Sequence, residues 1–155
     1  MLITPTIYFV AVGSAEGKSE LNAFDNALLK AGIGNLNLVR VTSVIPIGAK
    51  RVDRSEIEIP RGALVPAAFG SICGHRPGET IAAAVGVGVN DDGAGVIMEY
   101  SGRCTRRQAE ARVARFVEEA FAARRERLAE VVIAGTQHRV RKMGCAVAAV
   151  VLWYL

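Results

Sequence analysis

The sequence predicts a single α+β domain with a mainly antiparallel sheet. Its 155 residues are 51% hydrophobic, which is enough for one well-buried core but too little chain for two domains. Segments with strand composition outnumber the two segments with helical periodicity. The 16 glycines and the low aromatic content favour many strands joined by tight turns. Because the two helices are interspersed among strands, the α+β class fits best.

The first strand is expected at residues 7–12, and a helix follows it. Ser19 has the side chain of an N-cap residue, and Gly32 and Gly34 are suited to end the helix. The buried stripe of this helix is predicted from four apolar residues at helical spacing, Leu21, Phe24, Leu28 and Ala31.

The segment NLVRVTSVIP, residues 37–46, has the composition of a half-buried second strand closed by Pro46. Two hydroxyl side chains, Thr42 and Ser43, lie side by side in its middle. A third extended segment at 62–73 is interrupted by Pro66.

The second half of the chain has clearer sequence signals for secondary structure. TIAAAVGVGV and AGVIMEYSG flank NDDG and predict a hairpin. Thr105 and Gln108 form a capping box that opens the second helix. The stripe of this helix is predicted to comprise Ala109, Val113, Phe116, Val117, Ala120 and Phe121. LAEVVIAGTQHRV and CAVAAVVLWYL then predict two closing strands.

The charge pattern leaves one non-enzymatic alternative open. The helix expected across Arg103–Arg127 carries eight arginines against four glutamates. Such a helix usually presents a solvated face or a subunit contact, so we expect no nucleic-acid partner. A binding module that uses this helix is the alternative.

The chain is expected to be cytoplasmic, with no membrane partner. Three cysteines without a CxxC pair indicate a reducing compartment and no disulfide framework. The start, MLITPTIYFVAVG, has no basic region and predicts a buried strand rather than a signal peptide. The apolar C-terminal run is shorter than the roughly 20 residues that span a bilayer.

Two carboxylates have competing interpretations. Asp25 borders the apolar stripe of the first helix, either as a carboxylate that reaches water or in a half-buried pocket for a cationic ligand. Glu99 alternates with Met98 and Tyr100, so it faces away from them. It is either an exposed strand residue or a cleft carboxylate with a raised pKa that can donate a proton.

Five segments together resemble the pyruvoyl-dependent arginine decarboxylase family. They are LNAFDNALLKAGIGNLNLVRVTSVIP, GALVPAAFG, PGETIAAAV, GVIMEYSG and KMGCAVAAVVLWY, in this order. The resemblance implies one domain over residues 1–155, folded as a four-layer αββα sandwich with mainly antiparallel sheets. It also implies a trimer or a dimer of trimers, with active sites between protomers.

Members of that family cut their own chain before a serine, which corresponds here to Ser43. The Ser43 hydroxyl attacks the Thr42 carbonyl, the ester eliminates to dehydroalanine, and hydrolysis leaves a pyruvoyl group and ammonia. The implied products are residues 1–42 (β chain) and 43–155 (α chain). Asn37 matches the family's essential asparagine, whose amide can hydrogen-bond the developing oxyanion.

The implied reaction converts L-arginine to agmatine and CO2 through a Schiff base with the pyruvoyl group. The resemblance therefore implies neither a metal nor pyridoxal phosphate. Glu99 matches the acid that protonates the product carbon, and Asp25 the residue that pairs with the guanidinium. Leu28, Gly34 and Thr42 complete the implied substrate contacts. The same chemistry on another amino acid is the nearer alternative.

Overall fold

Two stacked sheets lie between two helices in the computed structural model, which describes residues 3–155. Met1 and Leu2, the start of the predicted N-terminal segment, lie outside the described residues. The strands are β1 (Ile7–Glu16), β2 (Asn37–Arg40), β3 (Val44–Ile45), β4 (Lys50–Arg51), β5 (Leu64–Gly74), β6 (Thr80–Val89), β7 (Gly95–Gly102), β8 (Glu130–Arg139) and β9 (Gly144–Trp153). The helices are α1 (Glu20–Lys30) and α2 (Arg106–Arg124), with a 3-10 turn at Arg54–Glu56.

Within residues 3–155, the first sheet has the strand order β2-β5-β9-β1-β4 and the second the order β3-β7-β6-β8. Only β1 with β4 and β2 with β5 pair in parallel among the described strands. One apolar core lies between α1 and the first sheet, another between the two sheets, and a third between the second sheet and α2. These layers confirm the α+β class and the αββα sandwich.

Helix α1 has the predicted boundaries. The Ser19 hydroxyl accepts a hydrogen bond from the backbone N–H of Asn22, as an N-cap residue does. Gly32, with a φ of 77°, adopts the left-handed conformation that ends helices. The predicted end of β1 is wrong by four residues, because the strand continues to Glu16 rather than ending at Val12.

The buried face of α1 differs from the predicted stripe. Leu21 is 75% exposed, whereas Ala23 and Ala27 are fully buried. The helix approaches β1 at Gly13, where an added Cβ would overlap the carbonyl oxygen of Ala27 and lie 2.6 Å from the backbone nitrogen of Ala31. Small residues therefore form this contact, and the assignment of Leu21 to the core is wrong.

A Gly13→Ala variant is expected to be less stable than the wild type. Its Cβ would meet helix backbone, so α1 must shift away from the sheet, at a cost of about 1–3 kcal/mol. Thermal unfolding at matched protein concentration measures this effect. Gly70→Ala is the control, because a Cβ there meets no atom closer than 3.5 Å. Equal melting temperatures for wild type and Gly13→Ala would contradict the close packing.

The segment at residues 37–46 is not one strand, which corrects the prediction. Its first part, β2, lies at the edge of the first sheet beside β5. Its last part, β3, lies at the edge of the second sheet beside β7. The chain leaves β-structure between them, at residues 41–43, because it crosses there from one sheet to the other.

The sequence predicts that Pro66 interrupts the next strand, and this prediction is wrong. β5 is continuous through Pro66, and its pairing with β9 begins one residue later, at Ala67. At Pro66 the strand therefore has only β2 as its neighbour, and a missing N–H is tolerated there. The predicted hairpin is confirmed as the antiparallel pair β6 and β7.

Helix α2 begins at the predicted capping box, in which Thr105 and Gln108 exchange hydrogen bonds. It is shorter than the expected Arg103–Arg127 at both ends, because Thr105 is its N-cap and Arg125 adopts a left-handed conformation at its C-terminal end. The predicted stripe is buried except for Phe116, which is half-buried. In residues 3–155 neither helix is long and apolar enough to cross a membrane.

The expectation of no disulfide bond is also wrong. Cys73 and Cys145 are joined in a disulfide, although 72 positions separate them in sequence. β5 and β9 pair with these two residues directly opposite each other, so the sheet brings the sulfur atoms together. Cys104 is a free, half-buried cysteine.

Candidate active site

The Thr42–Ser43 peptide lies where the chain crosses between the two sheets. On its N-terminal side, the Val41 N–H donates to the carbonyl of Ala67 on β5 at 3.1 Å. On its C-terminal side, the Ser43 carbonyl accepts from the Ile97 N–H on β7 at 2.7 Å. Thr42 is exposed and Ser43 half-buried. The two flanks of the peptide bond are therefore held by different sheets, and the bond itself lies in the gap between the sheets.

Glu99 faces into the space between the sheets, near this crossing. Met98 and Tyr100 pack towards α2, and Glu99 points the other way, as predicted from the alternation. Its Cβ and Cγ pack against Gly70 of β5, where an added Cβ would lie 3.5 Å from each. Burial raises the pKa of the Glu99 carboxyl above its ordinary value, and the positive charge of Arg40 opposes this increase. The cleft interpretation of Glu99 is therefore favoured.

Arg40 is a feature of the site that sequence reasoning missed. Its guanidinium stacks on the ring of Phe69, 3.9 Å from the centroid, and NH1 donates to the Phe69 carbonyl at 2.6 Å. The signal was an arginine between Val39 and Val41, in the middle of an otherwise apolar segment. Arg40 is fixed beside the crossing and places a positive charge near Glu99.

Asn37 lies away from Ser43 of its own chain. Its side-chain amide donates to the Gly62 carbonyl at 2.8 Å. It pairs with Leu64 at the start of β5, and Glu99 packs against Gly70, six residues further along that strand. Six residues of strand span roughly 20 Å. Within one chain, Asn37 therefore does not reach the groups beside Glu99.

The implied substrate contacts on α1 and the following loop form a second group. Asp25 is exposed, so a single chain does not supply the half-buried pocket that was one of its two interpretations. The Leu28 side chain is buried in the core between α1 and the first sheet, and its carbonyl accepts from the Ile33 N–H at 3.0 Å. Gly34 backs closely onto Leu29 and lines a cavity of about 240 Å³.

The sheet edge beside the crossing exposes apolar side chains. Val44 of β3 is 59% exposed, Leu64 of β5 is 71% exposed, and Val39 of β2 is 47% exposed. Val39 and Val44 lie on the edge strands β2 and β3, on either side of Thr42 and Ser43, whereas Leu64 lies at the start of β5, beside Asn37. An apolar surface at this place is typical of a protein–protein contact.

The comparisons with known proteins agree on one family. The model of the pyruvoyl-dependent arginine decarboxylase family matches residues 7–154. A protein of that name from Methanocaldococcus jannaschii is 44% identical over 152 residues, which cover 97% of this chain and 91% of the relative. Another from Pyrococcus abyssi is 44% identical over 152 residues, covering 97% and 96%. A third, from Thermococcus sibiricus, is 45% identical over 151 residues, covering 96% of each. The chain belongs to the pyruvoyl-dependent arginine decarboxylase family.

Proposed function

We propose that this protein is a self-processing carboxy-lyase that converts L-arginine to agmatine and CO2, with a pyruvoyl group made from Ser43. The observation that carries the proposal is the Thr42–Ser43 peptide in the gap between the sheets, beside the half-buried carboxyl of Glu99. Family membership favours an enzyme over the binding module considered for α2. The cytoplasmic location stays a prediction.

The surroundings of Ser43 fit a group made by cutting the chain. The half that ends at Thr42 contains β1, which pairs with β9 along ten residues, and β2, which pairs with β5. The half that begins at Ser43 starts with β3, which is paired with β7. Both new ends are therefore held by strands after cleavage. The pyruvoyl group supplies the electron sink for decarboxylation.

The chain's own residues bind the substrate and transfer a proton. A protonated Glu99, with its pKa raised by burial, can deliver a proton to the product carbon. The Asp25 carboxylate can form a paired, charge-assisted contact with the planar guanidinium. Leu28 and Gly34 lie at the C-terminal end of α1 and in the loop that follows it, and Thr42 becomes a free C-terminus at the crossing between the two sheets.

The proposal includes a homo-oligomer, either a trimer or a dimer of trimers. Asn37 lies roughly 20 Å along β5 from the Glu99 position, and Asp25 is exposed on a different layer. A neighbouring subunit that packs on the exposed Val39 and Val44 of the edge strands could place its own Asn37 or Asp25 near Ser43. Exposed Leu21, one turn before Asp25, suits the same kind of contact.

Denaturing mass spectrometry tests the processing. The purified protein is expected to yield two fragments, residues 1–42 and a chain that begins at position 43 with a carbonyl in place of the amino group. The second fragment should resist Edman degradation and react with borohydride. A protein that stays in one piece, inert to carbonyl reagents after long incubation, would refute the proposed function.

An Asp25→Asn variant tests the choice of arginine over another amino acid. The amide keeps the shape but removes the charge, so kcat/KM for arginine is expected to fall by about 3 kcal/mol, which is roughly 100-fold. For citrulline, a neutral isostere of arginine, kcat/KM should fall much less. Steady-state kinetics on both substrates measure the difference.

Glu20→Gln is the matched control for Asp25→Asn. It removes an exposed carboxylate from the first turn of the same helix and should leave kcat/KM for arginine nearly unchanged. Self-cleavage should proceed in both variants, because neither side chain contacts the Thr42–Ser43 peptide. If Asp25→Asn lowers kcat/KM equally for both substrates, the carboxylate is structural and the arginine assignment loses this support.

A further inference from the structure

A basic cleft lies between α1 and the turn at residues 140–143 that joins β8 to β9. It consists of two adjoining cavities of about 640 and 610 Å³, which share Glu16, Asn26 and Arg141 in their walls. The basic side chains that line the cleft are Lys18, Lys30, His138, Arg141 and Lys142. The cleft is therefore rich in positive charge and large enough for a small ligand.

The lysine and arginine charges of the cleft are not balanced by acidic side chains. Among residues 3–155, none of Lys18, Lys30, Arg141 and Lys142 forms a side-chain ion pair. The carboxylate in the cleft, Glu16, is already occupied by other partners.

Glu16 binds the backbone of the turn rather than its basic side chains. Oε1 accepts from the N–H groups of Lys142 at 2.7 Å, Arg141 at 3.1 Å and Met143 at 3.3 Å. Oε2 lies 2.5 Å from Nε2 of His138. Burial acts to raise the pKa of Glu16, but these hydrogen bonds outweigh it and lower the pKa below its ordinary value.

These contacts fix the turn that carries two of the cations. Because Glu16 holds the backbone at Arg141 and Lys142, both side chains start from a defined position at the mouth of the cleft. On the opposite wall, the Asn26 amide donates to the Glu16 carbonyl at 3.0 Å and ties α1 to the end of β1. A rigid frame lowers the entropic cost of ordering side chains around a ligand.

The cleft and the candidate active site suit ligands of opposite charge. The groups proposed to act on arginine, Asp25 and Glu99, are carboxyls, whereas the cleft presents ammonium and guanidinium groups. Glu16 pairs with Gly144, and Gly144 lies four residues before Ala148, which pairs with Gly70 beside Glu99. Four residues of strand separate the two places by about 13 Å along the sheet.

We propose that this cleft binds a small multivalent oxyanion, of the phosphate or polycarboxylate type. Arginine binds such anions through its planar fork, and lysines add point charges around it. The amide of Asn22, which lines the same cavity, is a further hydrogen-bond donor. The site does not depend on the pyruvoyl chemistry, so it should be present in uncut and cut protein alike.

The two histidines of the chain provide a direct test. His138 lines the cleft, whereas His75 lies on the loop after β5, outside its walls. The purified oligomer is titrated with pyrophosphate at constant ionic strength and pH, and the Cε1–H resonances are followed by NMR. We expect a saturable shift of the His138 signal and a constant His75 signal. If neither signal shifts, or both shift alike, the proposal is overturned.

A pair of matched variants tests the charges. Lys18→Gln/Arg141→Gln removes two cations from the cleft and keeps the backbone N–H that binds Glu16. Its Kd for pyrophosphate, measured by calorimetry, should rise at least about tenfold. Arg107→Gln/Arg115→Gln removes the same charge from the exposed face of α2 and should change the Kd less than about twofold. Equal losses in the two variants would show that only net charge matters and would overturn the site.

Citrate, titrated in parallel with pyrophosphate, identifies the ligand type. Tighter binding of pyrophosphate assigns a phosphorylated ligand, and tighter binding of citrate assigns a polycarboxylate, and either result supports the oxyanion site. Saturable binding of neither anion by the wild type refutes it. A Ser43→Ala protein should bind with the same Kd, which separates this proposal from the proposed function.

Discussion

A Ser43→Ala protein is expected to remain one uncut chain without decarboxylase activity. Alanine has no Oγ to attack the Thr42 carbonyl and no leaving group on Cβ, so neither the ester nor the elimination product can form. The variant should still fold, because the flanking hydrogen bonds at Val41 and Ser43 use backbone atoms only. Mass spectrometry and an agmatine assay measure the two losses, and circular dichroism checks the fold.

Thr42→Ala is the matched control for this experiment. It removes the neighbouring hydroxyl but leaves the carbonyl that Ser43 attacks, so cleavage should continue, although its rate can change. The Thr42 side chain is exposed, and its loss should not disturb the cores. Two results would contradict Ser43 as the nucleophile. One is cleavage of Ser43→Ala at the same bond, and the other is a Thr42→Ala protein that stays intact at this bond but is cleaved at another one.

The elements that could be predicted from the sequence are those with a complete local signal. The capping box of Thr105 and Gln108 opens α2, and the turn NDDG joins β6 to β7. In the turn, the Asn90 side chain accepts from the N–H groups of Asp92 and Ala94, and Gly93 has a φ of 80°. These interactions involve residues within a few positions of each other, so the sequence pattern contains them.

The change of sheet at residues 41–43 could not be predicted in the same way. β2 and β3 have similar composition, and local alternation does not say which sheet a strand joins. That choice depends on β5 and β7, which lie more than twenty positions from β2 and at least fifty positions from β3, respectively. The Cys73–Cys145 disulfide was missed for the same reason, since only the pairing of β5 with β9 brings its sulfur atoms together.

The exposed Leu21 shows a different limit of sequence patterns. Hydrophobic periodicity gives most weight to large side chains, whereas α1 packs through Ala23 and Ala27 against Gly13.

The resemblance places Asn37 in the active site, but a sequence motif contains no information on distance. Within one chain, Asn37 lies roughly 20 Å from the Glu99 position.

A Glu99→Gln variant is expected to lose most of its decarboxylation rate while still cleaving itself. Glutamine fills nearly the same space between the sheets but cannot donate a proton as an acid. Positioned acid–base groups typically contribute 10²–10⁴-fold, so kcat should fall by about that factor. Glu118→Gln, an exposed carboxylate on α2, serves as the control and should keep the wild-type rate. Turnover close to wild type in Glu99→Gln would remove this residue from the proton transfer.

The pH dependence of kcat provides an independent check on the role of Glu99. Burial raises its pKa, so the carboxyl stays protonated to a higher pH than an ordinary glutamate, in spite of the nearby Arg40 charge. If protonated Glu99 is the acid, kcat should be constant below this raised pKa and should fall as the pH increases through it. The fall should be absent from the residual activity of Glu99→Gln, because no titrating group is left at that position. The same alkaline fall in both proteins would assign the proton to another donor, even if the variant were slow.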